Sequence, residues 1–79
     1  MPRKTVSSNE LLAWLNAELA RHEACEHCRF TSVERLQEED HDGCNWSTPN
    51  LRCSGVPASV CMPVANRVGA EAHHLFNVE

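Results

Sequence analysis

Isoleucine is missing from this 79-residue chain, and aromatic residues make up only 5% of it. Leu, Val and Phe together supply about a fifth of the residues, the level at which composition warns that burial alone will not hold a fold together. Lysine occurs once, at Lys4, and the arginines are scattered at Arg3, Arg21, Arg29, Arg35, Arg52 and Arg67. With a formal net charge of −4 and no basic stretch, bulk electrostatics oppose nucleic-acid binding. Long apolar runs are also missing. Leu11 to Ala20 is broken by Asn16 and Glu18, and no window approaches the roughly 18 apolar residues of a membrane span. The start, Met1 to Ser7, carries a basic pair with no apolar stretch behind it, so no signal peptide is expected and the chain reads as cytoplasmic. A length of 79 residues leaves room for one domain, with residues 1–6 as a flexible lead.

What the chain has in quantity is sulfur and imidazole, with five cysteines and five histidines. Small domains with too little apolar surface commonly close the deficit with a metal or a disulfide. In a reducing cytoplasm a cysteine is more often a metal ligand than half of a bridge, and an odd count fits four ligands and a spare. Under that reading the sequon Asn45-Trp46-Ser47 has no meaning, because glycosylation requires secretion.

Local signals place the elements. Ser7-Ser8-Asn9-Glu10 is a capping box, flanked by Val6 and Leu11 in the two positions of a hydrophobic staple. It predicts a helix from Ser8 to about Ala24, with Leu11, Leu12, Leu15 and Leu19 on one face and Trp14 beside them. Cys25-Glu26-His27-Cys28 follows as a knuckle. An irregular β-hairpin is then expected, with one arm near Arg29 to Leu36, an acidic turn ending at Asp42-Gly43, and the other arm near Cys44 to Cys53. Pro49 weakens that second arm. Pro63 suits the first turn of a closing helix running to about Phe76, with Val64, Val68, Ala72, Leu75 and Phe76 as its apolar side and His73 and His74 in its last turn. Gly69 inside it suggests a close approach to another element.

The cysteines can be sorted by register. A hairpin turning near residues 40 and 41 sets Cys53 opposite Cys28 and pairs Cys44 near Gln37, about 26 Å along the strand from the knuckle. Cys61 lies just before Pro63, where it can swing back to the knuckle. The expected site is therefore a tetrathiolate of Cys25, Cys28, Cys53 and Cys61 around one structural Zn²⁺. The order knuckle, hairpin, helix resembles treble-clef zinc domains, which makes the expected fold a small zinc-stabilised α+β domain. A second ligand set, Cys25, Cys28, Cys44 and Cys53, stays open, as does substitution by His22, His27 or His41.

Rival chemistries fit less well. A redox Cys-x-x-Cys sits at a helix start, whereas this one follows a helix and is flanked by Glu23 and Glu26. The zinc-deaminase pattern is absent. The calcium-loop echo from Glu38 fails at its twelfth position, which is Pro49. The sequence thus reads as a non-catalytic zinc module that binds another protein, with a nucleic-acid-binding zinc domain or a metal-handling or thiol-redox protein as alternatives. Trp46 fits either the core or an exposed partner contact.

Overall fold

The capping box forms as the spacing predicts. In the computed structural model, which describes residues 3–39, 43–47 and 50–79, helix α1 covers Ser8–Leu19. Ser7 Oγ accepts from the Glu10 amide at 3.1 Å, and the Glu10 carboxylate reaches back to the Ser7 amide at 3.5 Å. Leu11, Leu15 and Leu19 are buried with Val6, while Leu12 and Trp14 are half-buried at the rim. The helix stops at Leu19 rather than near Ala24. Backbone bonds from Arg21 to Glu18 and from His22 to Leu19 tighten it, and Glu23–Cys25 forms a separate short 3-10 turn that delivers Cys25 to the core.

The two described ladders of the hairpin share one register. Strand β2 (Cys28–Phe30) pairs antiparallel with β5 (Leu51–Cys53), and β3 (Glu34–Arg35) pairs with β4 (Trp46–Ser47). Cys28 faces Cys53 and Arg35 faces Trp46, as a turn centred on residues 40 and 41 requires. Thr31 N–H donates to the Asn50 carbonyl and Leu36 N–H to the Asn45 carbonyl at the same offset, but these bonded rungs are five residues apart, so the alternation breaks between the ladders and the ribbon is two short sheets. Gly43 has φ of +84°, the left-handed region that its place in the sequence calls for. Asp40, His41, Asp42, Thr48 and Pro49 lie outside the described residues, and with them the His41 ligand and the calcium-loop comparison.

Helix α2 covers Ala58–Leu75, so Pro63 is the sixth helical residue rather than the first. Its missing N–H would have served the Ser59 carbonyl. Ser59 and Pro63 are both exposed, where water takes that place at low cost. The buried stripe is Cys61, Ala65, Val68 and Ala72. Beginning the helix at Ala58 puts Cys61 within it and turns that stripe inward, which leaves Val64 half-buried and Leu75 exposed. Nothing lies within 4 Å of a Cβ built on Gly69, so the expected close approach is not there.

Residues 4–6, read from the sequence as part of a flexible lead, form strand β1 (Lys4–Val6), which pairs parallel with β6 (Phe76–Val78). Arg3 Nε donates to the His73 carbonyl in the last turn of α2, a favourable end for a cation. The architecture is α+β: two helices, a ribbon between them in sequence, and a small parallel pair joining residues near the two ends. Trp46 is fully buried at the centre, its Nε1 donating to the Phe76 carbonyl at 2.8 Å and its ring edge-on to His73 at 4.4 Å. Core is thus its role, and the exposed partner contact is set aside.

Two asparagines hold strand edges that no strand covers. Asn16 Nδ2 donates to the Phe30 carbonyl at 3.1 Å, and its Oδ1 accepts from the Phe30 amide at 2.8 Å, docking α1 on β2. Asn45 does the same for Val78, with both distances 2.9 Å. Replacing either by alanine strands two backbone groups that are partly buried, and a loss of about 1–3 kcal/mol is expected for each. Denaturant titration of Asn16→Ala and Asn45→Ala checks it, and a loss confined to a few tenths for both would remove the clamp from the account. Asn45 is the sequon residue, so its amide nitrogen is already committed in the folded chain.

Candidate functional site

The cysteines meet as sorted, but as pairs. Cys25 is bonded to Cys61, with Cα atoms 4.8 Å apart, and Cys28 to Cys53, with Cα atoms 4.0 Å apart. The knuckle's two sulfurs leave in different directions: Cys25, at the end of the 3-10 turn, reaches α2, and Cys28, at the start of β2, reaches across to β5. Cys25 and Cys61 are fully buried. Together the bridges tie the end of the first helical layer, the ribbon and α2 into one unit.

This overturns the zinc expectation. Thiolates bound to zinc and sulfurs bound to each other are alternative uses of the same atoms, and here Cys25, Cys28, Cys53 and Cys61 are all consumed as disulfides. Among the described residues no group of three or more His, Cys, Asp and Glu side chains is placed to hold a metal ion. The cofactor Zn²⁺ is therefore withdrawn, together with the zinc-module and treble-clef readings built on it. The second set falls too. Cys44 belongs to neither bridge, and its thiol lies against the Trp46 carbonyl at 3.6 Å, one register step beyond the Leu36–Asn45 contact and far from the knuckle, as the register arithmetic expects. His22 and His27 do not substitute for a cysteine in any metal-ligating group.

The bridges also change the redox argument. Disulfides form and persist in oxidising surroundings, so the two bridges do not support the reducing cytoplasm expected from the lack of a signal peptide and of a membrane span. Among the described residues no helix is long and apolar enough to cross a membrane.

Beside the clasp lies a groove of about 390 Å³ between α2 and the ribbon. Phe30 and Leu51, on facing strands, form one wall; Met62, Ala65, Gly69 and His73, at helical spacing along α2, form the other. The open space above Gly69 is part of this groove. Met62 is exposed at its mouth and Val60 stands one residue before the Cys61 bridge, exposed as well. His73 is held from both sides, by its ring against Trp46 and its carbonyl under Arg3. The groove went unread in the sequence because its walls come from three separate elements and its one compositional trace, Gly69, signals an approach as readily as a space.

No protein-family model, curated protein or solved structure matches this chain. Function therefore rests on the groove, the clasp and the surface chemistry alone.

Proposed function

We propose that this chain is a non-catalytic binding module that works in an oxidising compartment and receives apolar side chains of another protein in the groove between α2 and the ribbon. The groove carries the reading. Its walls are apolar except for Asn66 and His73, its floor opens at a glycine, and the exposed Met62 at its mouth offers an adaptable contact of the kind that binding surfaces favour. The disulfides support it by fixing both walls: Cys61 sits on α2 just before Met62, and Cys28–Cys53 holds the strands that carry Phe30 and Leu51. A wall that does not move on binding loses less conformational entropy to its ligand.

Gly69→Leu tests it cleanly. The new Cβ meets nothing, and replacing an internal helix glycine removes a penalty of about 1 kcal/mol, so thermal stability should hold or rise. The side chain then fills the groove. Crosslinking from position 66, at the groove's edge, in the producing cells should recover a partner with the wild-type chain and not with Gly69→Leu. Equal recovery by both chains, or crosslinks only to a second copy of this chain, overturns the reading.

A further inference from the structure

The ribbon's opposite face carries a different chemistry. Successive residues of a strand alternate between faces, so with Cys28, Phe30, Leu51 and Cys53 turned to the core, the outward rungs are His27 with Ser54, Arg29 with Arg52, and Thr31 with Asn50. Ser54 N–H donates to the His27 carbonyl at 2.9 Å and Thr31 N–H to the Asn50 carbonyl at 3.3 Å, which makes Arg29 and Arg52 the hydrogen-bonded rung between them. Their Cα atoms are then about 5.5 Å apart, and the two guanidinium groups leave the same surface side by side.

Like charges directly opposite in a ladder destabilise it, and this chain, at net −4, has acids enough to neutralise them. It does not. The ion pair found among the described residues is Arg21 with Glu18, and there the side chains of Arg29 and Arg52 make no hydrogen bond. Glu26 borders the same cleft but stands beyond ion-pair distance of both guanidinium groups. The cleft, about 420 Å³, is lined by Glu26, His27, Cys28, Arg29, Arg52 and Ser54. Two planar forks of N–H donors, a hydroxyl and an imidazole thus border one opening, and neither fork is paired with the one carboxylate there, Glu26. Arg presents the geometry that tetrahedral oxyanions take in bidentate fashion, and two forks borne on facing residues of one rung are within reach of one such group.

We propose that Arg29 and Arg52, with Ser54 and His27 beside them, form a binding site for a phosphate group. The Cys28–Cys53 bridge closes the rung next to the arginines and fixes the spacing of the two strands, so the backbone positions that carry the forks are set before the anion arrives. The site is independent of the groove, which opens on the other face.

Titration of the oxidised protein with inorganic phosphate, followed by amide and guanidinium NMR shifts, tests it. Saturable shifts confined to residues 27–31 and 50–54 are expected, with affinity lowered tenfold or more in Arg29→Gln and in Arg52→Gln, and partly kept in the corresponding lysine variants. A phosphoserine peptide binding more tightly than inorganic phosphate would place the group on a protein; equal affinity would make the free ion the ligand. The glutamine variants should melt at the same temperature as wild type or higher, because a like-charge contact has been removed. Arginines that serve the fold instead would lower it. Shifts that do not saturate, or that persist in the Arg29→Gln, Arg52→Gln double variant, overturn the proposal.

Discussion

Reduction of its two disulfides should unfold this chain at room temperature. The bridges close loops of 36 and 25 residues by sequence separation, and confining the unfolded chain to such loops stabilises the folded state by about 4 and about 3.5 kcal/mol respectively. One loop is nested in the other, so the two gains overlap. Even so, either is a large part of the roughly 5–15 kcal/mol by which folded domains exceed their unfolded chains, and a chain with so little Leu, Val and Phe belongs at the low end. Cys25→Ala with Cys61→Ala should cost the most, since it also removes two fully buried side chains. Near-UV circular dichroism from Trp46 and the guanidinium midpoint, with and without a phosphine reductant, read the effect. A chelator should leave the oxidised protein unchanged, and a midpoint indifferent to reductant would remove the bridges as the source of stability.

Trp46→Ala should be nearly as damaging, with a loss of about 3–5 kcal/mol. Trp46 is the largest fully buried side chain, and it fills the centre where the ribbon, the end of α2 and β6 come together. Trp46→Phe keeps most of the packing but leaves the Phe76 carbonyl without its 2.8 Å donor, and should cost about 1–3 kcal/mol. Fluorescence separates this residue from Trp14, which is half-buried against Phe76 at 5.2 Å. In a Trp14→Phe background the remaining emission should be that of a dry indole. A water-like spectrum there, or an alanine variant within about 1 kcal/mol of wild type, contradicts the burial described.

Where chemistry is local, the sequence was a good guide. Ser7 and Glu10 announce the start of α1 because a capping box needs only four consecutive residues. Register was legible because strand pairing is arithmetic: a turn near residues 40 and 41 sets Cys28 opposite Cys53 without further information. The same four thiols, however, serve a metal or two bridges, since both bring Cys53 to Cys28 and Cys61 to the knuckle, and the choice hung on a compartment inferred from the lack of a signal peptide and of a membrane span. Pro63 misled because proline is tolerated at one more place than the first turn, wherever its orphaned carbonyl is wet. Strands of three residues, such as Lys4–Val6 and Phe76–Val78, show no periodicity at all. Asn16 registered only as a polar break in an apolar run, though its amide completes the edge of β2 from a neighbouring helix. Contacts of that kind depend on which surfaces meet, which the sequence around Asn16 does not specify.

The parallel pairing of β1 with β6 has a mechanical meaning. Tension drawn between residue 3 and residue 79 acts along both strands in opposite senses, so every rung of that short ladder is loaded at once instead of being peeled singly. Beyond it, the Cys25–Cys61 bond shorts out everything between those two positions, and only the segments outside it can extend. The ladder is thus sheared rather than unzipped, and roughly half of the chain stays closed within the bond.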